Sequence, residues 1–429
     1  MIDMVGIGPF VTLSLVASAM HGSASILAWA LGAVLALMDG MVWAELGARW
    51  PEAGGSYVFL KKLFPGQQMG RLMPFLFIWQ TTIQAPLVVA SGAIGFADYF
   101  GYFANLSELQ HKMVSGGVVL LMTALLYRNV KSIGRISVFL WAITGGTMLW
   151  LICSAFGHFD AGRAFHLNLG SFPTYGLLFA ALGQASVKSV YSYLGYYNVC
   201  HLGAEIKNPE RNIPRSIMLS VVGIAILYLC MQIAVSGVLP AEALAAGAAK
   251  GTPKNYAVSL YFQTIYHSRA VAGVATVLIL VIAGASLFSA MLGYSRIPYA
   301  AALNGDFFPV FAKVHPKHKF PYVSLIAIGS AGFVFSLLFR LADVISAILV
   351  MRILIQFGSQ AVALIAMRYR TARSDWPYRM PLFPLPAIIA IFIWLFIFCT
   401  SGKYIWWALL IVTSGTIAFF IRDRWSKKR

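Results

Sequence analysis

Two glycine-containing sequences interrupt long apolar runs and expose backbone groups that can bind a charged small molecule. The first is Gly6-Ile7-Gly8-Pro9-Phe10, and the second is Leu194-Gly195-Tyr196. Glycine makes departure from a helix easy, and Pro9 removes one helical N–H. A broken helix offers free N–H groups and a positive dipole end to a carboxylate, while its free C=O groups accept from an ammonium. A zwitterionic amino acid satisfies both sets of groups. The alternative is that these glycines only allow helices to pack closely.

Three ionisable side chains lie inside apolar runs, where a charge is unfavourable. Lys188 precedes Gly195 by about two helical turns of about 3.6 residues each. We expect it to face a cavity or a partner, or to extend its aliphatic stem to the membrane surface. Asp39 is expected to face protein, either in a bond between helices or in a gating or proton-transfer role. Arg352 has the same alternatives, with Asp39 or Asp343 as its candidate partners.

The composition indicates that lipid is the solvent for much of the surface. Of the 429 residues, 59% are hydrophobic and only 11% are charged, whereas soluble proteins carry about 25% charged residues. The net charge is +18, but the positive residues lie in short tracts between apolar runs, so lipid and not nucleic acid is the expected partner. The four cysteines lie within apolar runs and form no CxxC pair, so we expect no metal site.

The elements that must position these groups are helices that cross a membrane. A bilayer core of about 30 Å requires about 20 apolar residues per helix. Twelve stretches have roughly that length, which predicts an all-α polytopic membrane protein. The predicted bounds are 1–20, 25–46, 73–100, 113–129, 134–157, 173–203, 214–239, 268–303, 322–340, 344–367, 382–400 and 404–421.

The distribution of lysine and arginine predicts the orientation of these helices. The connections that follow even-numbered stretches, together with the C-terminal tail, hold 23 of the 32 Lys and Arg residues. The connections on the other side hold 7, and Lys188 and Arg352 lie within spans. Positive residues favour the cytoplasmic side. The even-numbered connections and the basic tail 422–429 are therefore predicted to be cytoplasmic.

Five motifs, in order along most of the chain, resemble those of the amino acid–polyamine–organocation (APC) transporters. GIGPF lies where that family has its first-helix glycine motif, and EIKNPERNIPRSI resembles the loop after its sixth helix. The other matches lie at the end of the second helix, in the connection between the eighth and ninth helices, and before the eleventh helix. They are AELGARWPEAGGSYVFLKKLFP (Ala44–Pro65), GYSRIPYAAALNGDFFPVFAKVHPKHKFPYVSL (Gly293–Leu325) and WPYRMPLFPLP (Trp376–Pro386).

This resemblance implies the leucine-transporter fold, a 5+5 inverted repeat plus two C-terminal helices. The repeats would occupy 1–157 and 173–367, the extra helices 382–421, and the tail 422–429. The implied function is secondary active transport of amino acids across the cytoplasmic membrane by alternating access, with ion-coupled symport or exchange.

The alternative is a polyamine or organic-cation transporter of the same fold. Such a site would need carboxylates, and Asp39 is the only acid near the middle of a span. A neutral or acidic amino acid is therefore favoured.

The resemblance also implies roles for particular residues. Gly6, Ile7 and Gly8 would bind the substrate carboxylate. Carbonyls around Tyr193, Leu194 and Gly195 would bind the amino group, and Tyr191 would form an aromatic gate.

Two departures from the family pattern concern the coupling ion and the first helix. Thr144 stands where many members carry a lysine. The missing lysine argues against proton coupling, and Thr144 with Ser286 or Ser289 would instead supply oxygens to a cation. Sodium and a proton are the two candidate coupling ions, and no other cofactor is expected. Only five residues precede Gly6. This predicts a truncated first helix, with Met1 as an internal methionine of a longer product.

Two other functional classes lack support in the sequence. An intramembrane enzyme would need a catalytic motif, and the sequence has no HExxH, GxSxG or P-loop. Asp39 and Asp98 are aspartates without such a motif around them. A channel would need a repeated polar filter or a ring of charges, and neither is present in the sequence.

Overall fold

The computed structural model describes residues 4, 6–52, 54–64, 66, 68–127, 133–167, 169–246, 256–318, 320–372 and 375–426. Within these ranges the regular structure is helical, with no β-strand. The predicted truncation before Gly6 falls almost wholly outside the described residues. The first nine helices are α1 Gly8–Ala19, α2 Ser25–Arg49, α3 Ser56–Leu63, α4 Met69–Phe100, α5 Glu108–Leu126, α6 Ile133–Ser154, α7 Ala161–Phe165, α8 Tyr175–Tyr193 and α9 Asn198–His201.

The second half of the chain continues the same all-α architecture. A π-helical segment, Ile353–Gly358, joins α15 to α16. The remaining helices are α10 Pro209–Val238, α11 Ala241–Ala246, α12 Ala257–Tyr266, α13 Arg269–Leu303, α14 Tyr322–Leu338, α15 Leu341–Arg352, α16 Ser359–Arg370, α17 Leu385–Thr400 and α18 Tyr404–Ser426.

Each of the twelve predicted stretches coincides with a helix or a pair of helices. Seven spans in the described chain are long and apolar enough to cross a membrane. They lie in α2, α4, α5, α10, α13, the continuous α15–α16 unit and α18. The other five stretches coincide with α1, α6, α8, α14 and α17, which are shorter or less apolar. The prediction of an all-α polytopic fold is confirmed.

Three details differ from the predicted spans. The stretch 173–203 is two helices, because the chain leaves helical geometry at Leu194 and resumes it at Asn198. The stretch 344–367 contains the π-helical segment, and its hydropathy gives no sign of it. Helix α12 was not predicted, because its ten residues are too few to span a bilayer.

Helix α2 is the scaffold against which the broken helix packs. Gly32 lies so close to Tyr193 that a Cβ there would be 2.9 Å from the tyrosine ring. A Cβ on Gly47 would be 2.8 Å from Cys200 Sγ. Small residues allow helix backbones to approach in this way within membranes. These two α2 glycines therefore allow close packing, and they face both halves of the interrupted helix.

A buried ion pair fixes one end of α2 to two later elements. Glu45 is fully buried and pairs with Arg368 on α16. Its second oxygen accepts from the backbone N–H of Met380 at 2.9 Å. Nearby, the Arg49 guanidinium lies 3.9 Å from the ring centre of Trp376. Helix α2, α16 and the segment before α17 are thereby joined.

Removing one partner of this pair should destabilise the fold. Arg368→Gln leaves a buried carboxylate without its cation, and we expect a loss of about 3–5 kcal/mol. Thermal unfolding in detergent would measure this as a lowered melting temperature. Arg370→Gln, at an exposed position on the same helix, is the matched control and should leave the melting temperature unchanged. Equal melting temperatures for both variants would contradict the structural role of the pair.

Candidate functional site

The first glycine sequence forms the N-terminus of α1. The helix begins at Gly8, Pro9 occupies its first turn, and the preceding Ile7 makes no side-chain capping bond. The Ile7 carbonyl accepts from the N–H groups of Phe10 at 3.1 Å and Val11 at 3.3 Å. N–H groups at the start of a helix have no partner within it. The residues Gly6 to Gly8 therefore present the positive end of a helix dipole.

The second glycine sequence ends α8. Leu194 is extended, with φ −61° and ψ 150°, and Gly195 has a φ of +115°. A positive φ of this size is readily adopted by glycine alone. The last carbonyls of α8 are consequently released from intrahelical bonding. The helix break lies where the sequence predicts it, at Leu194 and Gly195.

The two breaks lie against each other. A Cβ on Gly8 would be 3.4 Å from Ser192 Cα and 3.6 Å from Tyr191 Cε1. The Thr12 and Ser192 hydroxyls are 2.8 Å apart. Tyr228, on α10, donates to the carbonyls of both Met4, at 2.9 Å, and Ser192, at 3.1 Å. The start of α1 and the end of α8 therefore meet in one place.

Tyr191 crosses from this meeting point to α4. Its hydroxyl lies 2.8 Å from Ser91 Oγ. Ser91 itself donates to the carbonyl of Val88 at 2.7 Å, so Tyr191 is the donor to Ser91. Tyr193 points the other way, and its hydroxyl donates to the Trp29 carbonyl at 3.2 Å. Only the backbone of Tyr193 is available for the predicted role.

The three predicted cation ligands lie on α6 and α13, which pack against each other. Ser286 is beside the first break, since a Cβ on Gly6 would be 2.5 Å from its Oγ. Ser289 is half-buried and lies about one turn further along α13. Thr144 is buried on α6. The shared cation site stays a prediction.

Asp39 is fully buried and faces protein, as the sequence predicts. Its carboxylate accepts from the Tyr196 hydroxyl at 2.5 Å and from Trp394 Nε1 at 3.3 Å. Tyr196 belongs to the break and Trp394 to α17, so Asp39 holds the interrupted segment to two helices. These contacts support the structural alternative for Asp39.

Lys188 lies away from the two breaks. Its ammonium donates to the Gln184 carbonyl at 3.5 Å. It lines a pocket with Ser346, Lys403 and Tyr404, and the glycine breaks do not line that pocket. This placement favours the surface-seeking alternative for Lys188 over contact with substrate.

Sequence reasoning missed several polar groups near the breaks. Ser91, Ser192 and Tyr228 make the hydrogen bonds described above, and Tyr294 and Gln84 make another at 3.4 Å. The signal available in the sequence was a polar side chain inside an apolar helix. Such side chains are common in membrane helices, where they form hydrogen bonds between helices. The tertiary structure is therefore needed to identify the ones that lie near the breaks.

The fold and the paired helix breaks define a polytopic membrane transporter. Residues 1–420 match the amino acid permease family, so the chain belongs to this family, within the APC superfamily. The resemblance drawn from the motifs is confirmed. The protein is a secondary amino acid transporter and not an enzyme, and the polyamine alternative is not favoured.

Individual relatives are distant but extend over most of the chain. The methylthioribose transporter of Bacillus subtilis (strain 168) is 24% identical, covering 98% of this chain and 90% of that protein. The branched-chain amino acid permease BcaP of the same organism is 23% identical, with coverage of 98% and 90%. Its aspartate-proton symporter is 27% identical over 71% of this chain and 58% of that protein.

Filling either glycine break should abolish transport without unfolding the protein. The methyl groups of Gly8→Val would enter the space already bounded by Ser192, and any side chain at Gly195 is strained by its positive φ. We expect uptake into liposomes to fall to background while both variants remain monodisperse in detergent.

The matched control for these variants is Gly293→Ala. A Cβ at Gly293 meets nothing within 4 Å, so uptake should be unchanged. Normal uptake by both Gly8→Val and Gly195→Val would refute the assignment of the site.

Proposed function

We propose that the protein moves amino acids across the cytoplasmic membrane by alternating access, with its substrate held between the two helix breaks. The N–H groups of Gly6, Ile7 and Gly8 bind the α-carboxylate. The carbonyls around Tyr193 to Gly195 accept from the α-ammonium. The observation that carries this proposal is the 3.4 Å approach of the Gly8 Cβ position to Ser192 Cα. It brings the start of α1, with its positive dipole end, against the end of α8, with its released carbonyls, as the two charged ends of an amino acid require.

Tyr191 is proposed as the gate over this substrate. Its ring contacts the Gly8 position and its hydroxyl is tied to Ser91 on a different helix. Release of that one hydrogen bond would free the ring to rotate. A single neutral hydrogen bond contributes about 0.5–1.5 kcal/mol, so breaking this one costs little free energy.

The orientation and the location of the protein are proposed from the charge distribution. The predominance of Lys and Arg in the even-numbered connections and the tail supports a cytoplasmic C-terminus in the cell membrane. Embedded in lipid, the two predicted repeats, 1–157 and 173–367, would move against each other around the site.

Substrate and coupling are proposed from the relatives together with the residues of this chain. Relatives are named as a branched-chain amino acid permease, an aspartate-proton symporter and a cationic amino acid transporter. The engagement of the buried Asp39 carboxylate by Tyr196 and Trp394 supports a neutral or acidic amino acid, because it leaves Asp39 in the scaffold and away from a cationic substrate. Ser286 lies beside Gly6, so a cation held by Ser286 or Ser289 together with Thr144 would adjoin the substrate carboxylate. Sodium or a proton would then drive symport, or the protein would exchange one amino acid for another.

An uptake panel in liposomes tests the function directly. Purified protein should accumulate at least one radiolabelled amino acid, and a sodium or proton gradient should increase the accumulation if transport is symport. Preloading with unlabelled amino acid should accelerate uptake if it is exchange. Absence of saturable uptake for every amino acid, with equal leakage in empty liposomes, would refute the proposal.

Thr144→Ala tests the cation site. If sodium is coupled, removing this oxygen should raise the sodium concentration for half-maximal uptake at least about tenfold. Thr147→Ala is the matched control, because it removes the same hydroxyl from another buried position on α6, about one turn away, where Thr147 donates to the Ile143 carbonyl at 2.8 Å. If both variants keep the sodium response of the parent protein, the cation is not bound by Thr144.

A further inference from the structure

Arg352 is a buried cation without an acidic partner in the described chain. It is 3% exposed and lies at the end of α15, immediately before the π-helical segment. Its Nε donates to Gln356 Oε1 at 2.7 Å, and its Nη1 donates to the Tyr197 hydroxyl. Among the described residues Nη2 makes no hydrogen bond. An unpaired charge within a membrane protein is unfavourable, and such residues mark functional sites.

The partners predicted for Arg352 from the sequence are both engaged elsewhere. Asp39 bonds to Tyr196 and Trp394, as described above. Asp343 pairs with Lys403 at 3.0 Å and accepts from the Tyr404 hydroxyl. The two candidate partners were therefore wrong.

Several buried amide groups around the same helices also lack partners in the described chain. Gln80 on α4 is fully buried, and neither of its amide atoms is hydrogen-bonded. Gln84, one turn later, has an unbonded Oε1, and Gln356 has an unbonded Nε2. Buried polar atoms are normally paired. Helix α4 packs against α13, α15 and the π-helical segment, so these amides lie on packed elements and not at a lipid surface.

Tyr294 connects this polar cluster to the substrate site. Its hydroxyl is bonded to Gln84 Nε2 at 3.4 Å. Tyr294 lies about two turns after Ser286 on α13, and Ser286 adjoins Gly6 at the first break. Tyr197, which accepts from Arg352, lies two residues after Gly195 at the second break. A substrate held at the glycine breaks beneath Tyr191 would have its side chain close to the cluster.

We propose that Arg352, Gln80 and Gln356 bind the side-chain carboxylate of the substrate, so that the transporter prefers acidic amino acids. The inference rests on the proposed function, since the glycine breaks hold the α-carboxylate and α-ammonium. Arg352 supplies the counter-charge through its unbonded nitrogen, and the Gln80 and Gln356 amides supply N–H donors. A carboxylate accepts several such bonds at once, and a charged acceptor strengthens each of them.

The test compares acids with their amides, which have nearly the same shape but no side-chain charge. Uptake of radiolabelled L-aspartate, L-asparagine, L-glutamate and L-glutamine is measured with the full chain in liposomes. We expect one acid to be preferred over its amide by at least about tenfold, from one or more hydrogen bonds to a charged group. Arg352→Gln should remove this preference by slowing uptake of the acid alone, and Arg352→Lys should restore part of it.

Two further variants separate specificity from folding. Gln80→Leu removes a hydrogen-bond donor without removing a charge, and it should also reduce the ratio of acid uptake to amide uptake. If Arg352→Gln does not fold, this variant alone tests whether the cluster recognises the side-chain carboxylate. Arg340→Gln, at an exposed position just before α15, is the matched control and should keep the parent ratio.

The outcomes distinguish this inference from the proposed function. Equal uptake of acid and amide by the parent protein would overturn the inference and leave amino acid transport standing. If Arg352→Gln and Gln80→Leu each reduce uptake of the acid and of its amide equally, the inference is also overturned and amino acid transport stands. That result would show that these side chains have a structural role or surround water. Failure of the parent protein to carry any amino acid would instead refute the proposed function.

Discussion

The need to pair every backbone polar group in an apolar medium governs this structure. A helix that breaks inside a membrane releases N–H and C=O groups that lipid cannot satisfy. Here buried tyrosines supply part of the compensation. Tyr228 donates to the carbonyls of Met4 and Ser192, one at each break, and Tyr99 donates to the Phe10 carbonyl at 2.9 Å. One side chain thus stabilises both interruptions together, so the breaks depend on each other.

Helix α2 connects the broken helix to the rest of the fold. Its glycines allow Tyr193 and Cys200 to approach, and Asp39 holds Tyr196 between them. Asp39 also binds Trp394, whose ring stacks on Phe357 in the π-helical segment at 4.3 Å between centroids. A contiguous path of hydrogen bonds and ring contacts therefore runs from the broken helix to the second irregular helix. The two irregular segments are thus joined through Asp39 and Trp394.

The sequence predicted the parts of this arrangement that depend on local composition. Apolar run length located a helix at each of the twelve predicted stretches, and seven of the described helices are long and apolar enough to cross a membrane. Glycine identified the break at Leu194 and Gly195, because no other residue readily adopts a φ of +115°. The sequence did not predict the π-helical segment, since Ile353 to Gly358 is mainly apolar, contains no proline and continues the apolar run on either side. Nor could it place Lys188 or choose a partner for Arg352. The surroundings of Lys188 and the partners of Arg352 depend on which helices pack against each other, and that packing is determined by the whole chain.

The three ionisable groups within the apolar runs show why that distinction matters for function. All three looked alike in the sequence, and each had a structural and a functional interpretation. Asp39 has its two hydrogen-bond donors and is part of the scaffold. Lys188 lies in a pocket beside Lys403 and Tyr404, apart from the glycine breaks. Arg352 alone combines near-complete burial with the lack of an acidic partner in the described chain, and it lies among amides that are also incompletely bonded. Burial without compensation is unfavourable for folding, so a ligand that supplies the missing negative charge would be bound more strongly for that reason.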